Sequence, residues 1–171
     1  MAKRLILLRH AKSSWKRLEL ADFDRPLSGR GKRDAPAMGL RLKAWGACPD
    51  LILSSPAKRA RKTAKIVAEA LGYPGKAIRC DERLYLQGVQ ALLAALTETD
   101  DRFDEVMLVG HNPDITELAE RLTGDDFSEI PTAGAVVIRV EGTSWRELAR
   151  FGGGTLWFDY PKKHSPANAP S

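Results

Sequence analysis

Two histidines and two arginines stand where this chain can do phosphoryl chemistry. Arg9-His10 follows the apolar run Leu5-Ile6-Leu7-Leu8, Arg59 lies just beyond Leu51-Ile52-Leu53 and Ser54-Ser55-Pro56, and His111 follows Val106-Met107-Leu108-Val109-Gly110. Phosphoryl transfer through histidine needs a neutral imidazole nitrogen, held in one tautomer by a hydrogen bond on the other nitrogen. It also needs cations or donors around the equatorial phosphate oxygens, because positioning and charge stabilisation dominate this reaction. His10 suits the first role, while Arg9, Arg59 and a donor His111 suit the second. Guanidinium forks match phosphate oxygens better than ammonium groups do.

Each residue alone has a plainer reading. A histidine after a strand can be structural, Arg9 can be a strand-end ion-pair partner, and Arg59 can belong to a solvated helix face with Arg61 and Lys62. Ser55 reads as a helix N-cap with Pro56 at the first helical position, and Asn112-Pro113 reads as a turn. Convergence favours the chemical reading: in open α/β sheets the binding crevice lies outside the carboxyl ends of the strands, where all three segments end.

The elements that must position these residues follow from apolar periodicity. Leu5–Leu8, Leu51–Leu53 and Val106–Val109 read as buried strands. Ala35, Met38, Leu42 and Trp45 recur at helical spacing after Ser28-Gly29-Arg30-Gly31, with Gly46 as a stop and Pro36 tolerable only in the first turn. Ala60, Ala64, Val67 and Leu71 mark a second helix closed by Gly72, and Val89 to Leu96 a third. Ile115, Leu118, Ala119 and Leu122 mark another, ended by Gly124. Ala135 to Val140 and Trp145 to Phe151 are late strand candidates. Alternating strands and helices imply a three-layer α/β/α sandwich around a mostly parallel sheet. One domain over residues 1–158 is expected, with 159–171 as a flexible tail that includes His164.

The chain has 171 residues, 43% hydrophobic and 29% charged, with a net charge of +5, the profile of a soluble globular protein large enough to form a core without staples. Two cysteines, Cys48 and Cys80, suit neither a disulfide framework nor a metal cluster, and Cys80 reads as buried or half-buried. The three histidines, without Cys-x-x-Cys or His-Glu-x-x-His, indicate no metal site, and no glycine-rich nucleotide cradle follows a strand. No cofactor is expected. Basic residues are spread along the chain, densest at Lys58-Arg59-Ala60-Arg61-Lys62, so nucleic acid is not the expected partner. Met1-Ala2-Lys3-Arg4 and the following apolar run are too short for a signal peptide, and nothing approaches a membrane span; a cytoplasmic location follows. Oligomeric state is not legible.

Three segments together resemble the histidine phosphatase superfamily, the phosphoglycerate-mutase-like proteins: Leu7-Leu8-Arg9-His10-Ala11-Lys12-Ser13, Ser55-Pro56-Ala57-Lys58-Arg59-Ala60-Arg61-Lys62-Thr63-Ala64, and Val109-Gly110-His111-Asn112-Pro113. The short length, Ala11 after the nucleophile and Arg25-Pro26-Leu27-Ser28-x-x-Gly31 resemble the compact bacterial phosphohistidine phosphatase branch. The resemblance implies the phosphoglycerate-mutase-like fold, phosphorylation of His10, and phosphate binding by Arg9, Arg59 and His111, with Ser13 and Asn112 as further substrate contacts. Lys16 stands where many mutase-type members have an asparagine, and Leu86 where they have the glutamate that acts as general acid.

The second departure bears on substrate. A sugar or glycerate alkoxide leaves badly without an acid, whereas the imidazole of phosphohistidine, with a pKa near roughly 6.5, protonates from solvent. Asp22 and Asp24, in the irregular segment after His10, are candidate substitute acids, with ordinary turn chemistry as the competing explanation. The expected function is a phosphatase working through phosphorylated His10 on phosphohistidine or another activated phosphate, its partner a phosphorylated small molecule or a phosphohistidine-bearing protein. The alternatives are a mutase-like or small-metabolite phosphomonoesterase, and a non-catalytic phosphate or nucleic-acid binding module.

Overall fold

The computed structural model describes residues 2–164 of the chain. Its elements run β1 (Lys3–Arg9), α1 (Gly29–Trp45), β2 (Leu51–Ser54), α2 (Lys58–Leu71), β3 (Arg79–Cys80), α3 (Val89–Thr97), β4 (Glu105–Gly110), α4 (Asp114–Thr123), β5 (Ala135–Val140), α5 (Leu148–Phe151) and β6 (Gly153–Asp159). One sheet has the order β3-β2-β4-β1-β5-β6. Its first four strands are mutually parallel, and β5 and β6 are antiparallel additions. This is the phosphoglycerate-mutase-like α/β fold, mostly parallel as the strand and helix alternation requires. Among the described residues no helix is long and apolar enough to cross a membrane.

Alternating side chains of the central strands fill two separate cores. Leu5, Leu7, Val106 and Leu108 face α3, α4 and α5, together with the fully buried Trp145. Ile6, Leu8, Met107 and Val109 face α1 and α2. Burial on both faces explains why β1 and β4 read as continuous apolar runs. Each fully buried aliphatic side chain contributes about 1.5–3 kcal/mol. α1 and α2 approach closely at Gly39, where a Cβ would lie 2.7 Å from the Ala70 Cβ.

Five expectations from sequence need correction. Pro36 lies at mid-helix in α1, beyond the first turn; it and Lys32, whose carbonyl it leaves without an amide, are both exposed, so water can satisfy that oxygen. Ser55 is not the cap of α2, which starts three residues later behind Ala57. Trp145–Phe151 is not a strand: Ser144 caps a 3-10 turn at Trp145–Glu147, which runs into α5, and the strand begins at Gly153. Trp145 and Leu148, three residues apart, both pack inward from this helical turn. Cys80 is exposed, as is Cys48, and both are free thiols; Cys80 lies on the two-residue edge strand β3. Finally, Asp159 closes β6, is buried, and pairs with Ala135. Residues 161–164 form a 3-10 turn in which His164 Nε2 lies 3.1 Å from Asp159 Oδ1; the rest of the expected tail lies outside the described residues.

Candidate active site

The site is assembled at the carboxyl ends of β1, β2 and β4, the neighbouring strands at the centre of the sheet. Backbone bonds carry the sheet's order one residue past the strands. The His10 amide donates to the Gly110 carbonyl (3.0 Å) and the Ser55 amide to the Val109 carbonyl (2.9 Å). Arg9, His10, Ser13, Asp22, Arg25, Arg59, His111 and Asn112 all line one cavity of about 330 Å³, with Lys12, Trp15, Leu86 and Thr132. The residues expected from three distant segments therefore share one space.

His10 is 7% exposed. Its Nδ1 lies 2.7 Å from the Ala11 carbonyl oxygen. A carbonyl only accepts, so Nδ1 carries the proton and Nε2 keeps its lone pair. Arg59 Nε donates to that Nε2 across 3.4 Å. Burial pushes the imidazole pKa down to about 3; the Ala11 bond opposes this, and the His111, Arg59 and Arg9 charges reinforce it. His10 is thus a neutral imidazole at neutral pH with an open nitrogen in the cavity.

His111 is oriented by the opposite logic. Arg59 Nη2, which can only donate, sits 3.3 Å from His111 Nδ1. Nε2 then carries the proton and donates to Ser55 Oγ at 2.8 Å. Burial first, then the Arg59 charge, lower this pKa to about 4, with Asp22 opposing and Arg9 adding slightly. The two imidazoles lie 5.0 Å apart, centre to centre, and Arg59 reaches both. Arg59 itself is placed by the first turn of α2 and is 4% exposed.

Arg9 closes another side. Nη1 donates to the Ile130 carbonyl (2.9 Å) and pairs with Glu129 at 3.5 Å, while its Nε is buried without a partner in the structure. Burial lowers its pKa, Glu129 opposes and Arg59 adds, yet a guanidinium stays charged at any physiological pH. Ser13 Oγ accepts from Arg25 Nη2. The Asn112 side chain lines the cavity, but its amide is engaged elsewhere: Nδ2 donates to the Ile130 carbonyl, and Oδ1 accepts from the amide and hydroxyl of Thr116. The Asn112–Pro113 peptide is cis.

The two candidate acids separate. Asp24 is exposed and does not line the cavity. Asp22 does, and its carboxylate accepts from Arg59 Nη2 (2.9 Å), Arg25 Nη1 (3.1 Å) and the Tyr85 hydroxyl (2.6 Å). Partial burial works against the charge, but the Tyr85, Arg59 and Arg25 hydrogen bonds prevail and hold the carboxyl at about 2. In this arrangement Asp22 is a carboxylate, with no proton to give.

The sequence reading missed three contributors. Ser55, read as a cap, instead fixes the His111 tautomer. Arg25, read as turn chemistry, stacks on the exposed Trp15 ring at 3.2 Å and grips Ser13 and Asp22. Tyr85 packs edge-on against His111 (5.4 Å) and binds Asp22. Arg25 and Ser55, each inside a segment that carries the family resemblance, had a signal that could have found them; Tyr85 had none.

Residues 5–85 match the family described as histidine phosphatase superfamily (branch 1). An uncharacterised chloroplastic protein of Arabidopsis thaliana is 34% identical over 167 residues, 92% of this chain and 75% of that one. The chain belongs to the histidine phosphatase superfamily. Two solved structures that carry the name phosphohistidine phosphatase SixA agree with this histidine phosphatase throughout. One, from Nakamurella multipartitia, has 27% identity and a TM-score of 0.82, covering 94% of this chain and 97% of that one. The other, from Agrobacterium tumefaciens, has 29% identity and a TM-score of 0.80, covering 94% and 99%. This histidine phosphatase thus falls in the compact, SixA-like branch.

Proposed function

We propose that the protein is a phosphatase that works through phosphorylated His10 and acts on phosphohistidine or a similarly activated phosphate. The observation that carries this reading is the locked His10 tautomer, with its unprotonated Nε2 held by Arg59 Nε at 3.4 Å and within the same cavity as Arg9 and His111. Nε2 attacks phosphorus in line, forming an N–P bond as the bond to the leaving group breaks. Arg9 and Arg59 hold the equatorial oxygens, and His111 joins them only by taking up a proton on Nδ1, the nitrogen that faces Arg59. Water then attacks the phosphorylated His10, releasing inorganic phosphate and restoring the imidazole.

The choice of substrate rests on the acids. Among the described residues Asp22 is the single carboxylate lining the cavity, and it is held at about 2. Leu86 also lines the cavity, where mutase-type relatives have a glutamate, and contributes no proton. An imidazole leaving group needs none from the protein, because solvent protonates it; an alkoxide does. The relatives named phosphohistidine phosphatase support the same choice. A cytoplasmic setting fits the two exposed free thiols, which a reducing compartment preserves.

His10→Ala tests the reading. Turnover of phosphohistidine peptides should vanish, and acid-labile radiolabel should accumulate on the native protein and not on the variant. Equal activity in both proteins refutes the mechanism. A substrate panel of phosphohistidine peptides, phospholysine-like amides and sugar phosphates then decides the leaving group; preference for sugar phosphates refutes that part alone.

A further inference from the structure

Outside the catalytic cavity the strongest unexplained feature is a cationic groove. Lys58, Arg61, Lys62 and Lys65 recur along one face of α2, and with Lys32 of α1 they line a groove of about 380 Å³ floored by Pro26 and Leu27. Among the described residues no aspartate or glutamate lines it. None of the ion pairs among the described residues involves any of these five cations. For the fold alone the arrangement is unfavourable. Like charges one helical turn apart repel, and the first turn of α2 has no acidic residue to offset cations at the positive end of the helix dipole. Residues that break local rules without a compensating gain point to function.

The groove also shares walls with the catalytic cavity. Lys58 precedes Arg59, and Pro26-Leu27 follow Arg25, which lines the cavity. Leu27 forms a β-bridge with the cavity residue Ser13, and the Ser14 amide donates to the Pro26 carbonyl at 2.8 Å. A small phosphorylated metabolite fills the cavity alone, whereas a macromolecule with one phosphorylated side chain in the cavity must lay adjoining surface over the groove. Single-stranded nucleic acid would want aromatic stacking platforms, and among the described residues no aromatic side chain lines the groove.

We infer that the groove is the docking surface for an acidic segment of the protein that bears the substrate phosphohistidine. The inference rests on the proposed function and adds the partner's chemistry to it. Charge complementarity of this kind sets association rate and partner choice.

Two synthetic phosphohistidine peptides of equal length test it, one flanked by Asp and Glu, the other by Ser and Gly. At low ionic strength the acidic peptide should show about tenfold higher kcat/KM, a preference that disappears near roughly 0.5 M salt, where screening is complete within a few ångströms. Lys62→Glu/Lys65→Glu should abolish the preference while leaving p-nitrophenyl phosphate kinetics unchanged. Lys62→Gln/Lys65→Gln should weaken it, with a melting temperature at or above the native value. Fluorescence anisotropy with a labelled, unphosphorylated acidic peptide reads the groove without turnover. Equal kcat/KM for the two peptides in the native protein, or no salt-sensitive binding of the labelled peptide, overturns the inference, as does groove-dependent binding of polyuridylate in its place. If neither phosphohistidine peptide turns over while the aryl phosphate does, the function fails, and anisotropy alone judges the groove.

Discussion

Asp22→Asn separates two roles for the carboxylate that sits on Arg59. All three nitrogens of the Arg59 guanidinium are engaged within the protein: Nε with His10, Nη1 with the Asp22 carbonyl, and Nη2 with the Asp22 carboxylate and His111. A phosphoryl group must therefore displace Asp22 from Nη2 to be held there. Asp22 sits at about 2 instead of 3.8, a net of ~2.5 kcal/mol after the partial burial that opposes its favourable contacts. Its side chain is 42% exposed, and Tyr85 and Arg25 share the effect, so the Arg59 contact is worth about 1 kcal/mol after screening. Removing the charge should tighten binding of inorganic phosphate about fivefold. The assay is competitive inhibition of p-nitrophenyl phosphate hydrolysis at pH 7 and low salt. An unchanged or weaker inhibition constant for phosphate refutes the displacement argument. The same variant tests acid catalysis, because loss of a working general acid costs about 10²–10⁴ in rate; with phosphohistidine as substrate, kcat should stay within a few-fold of native.

Three further outcomes are expected. Stability should be greatest above pH ~6.5 and fall on acidification: His10 and His111 take up protons only at about 3 and 4 when folded but near roughly 6.5 when unfolded, so each costs about 1.4 kcal/mol per pH unit between those limits. Urea midpoints from pH 7 to 4 check this, and a flat profile contradicts the buried neutral imidazoles. Gly31→Ala should destabilise by about 1–3 kcal/mol and lower turnover, because a Cβ there would lie 2.1 Å from the Lys12 carbonyl oxygen, on the backbone just after His10-Ala11; native-like melting excludes this. Ser55→Ala should cost about 1–3 kcal/mol by stripping the acceptor from the buried His111 Nε2–H, and should reduce kcat with p-nitrophenyl phosphate; a neutral effect on both removes Ser55 from the site.

The strands that carry the chemistry were the most legible part of the sequence. β1 and β4 are buried on both faces, so their apolar runs are continuous, and the chemically loaded residues stand immediately beyond them. Helices α1 to α4 were readable from their apolar stripes and, for α1, α2 and α4, from Gly46, Gly72 and Gly124, each of which ends its helix in the left-handed conformation. Legibility failed where one local pattern serves two structures. Ser55-Pro56 has the composition of a helix start, but tertiary packing delays α2 and assigns the hydroxyl to His111, a partner 56 residues away. Trp145 to Phe151 mixes apolar and polar residues as a half-buried strand can, yet Trp145 and Leu148 stand at the three-residue spacing of a helical turn and pack from one. Tyr85 reaches the site through an aspartate 63 residues distant, and no local periodicity records such a contact; Arg25 reaches it through Asp22 and Ser13 within an irregular segment that has no period to read.

The lacing of His10 and Ser55 to Gly110 and Val109 has a consequence for how this molecule comes apart. The nucleophile and the serine that steadies its companion imidazole are fastened to the centre of the sheet, which opens last. Residues 14–27, which carry Asp22 and Arg25, are held outside the sheet by one bridge, by side-chain bonds to Arg59, Tyr85 and Ser13, and by the buried Leu27. A molecule that sheds this strap still keeps its reactive nitrogen in place. Selection can therefore rewrite the strap, and with it the choice of partner, without disturbing the bond-making centre.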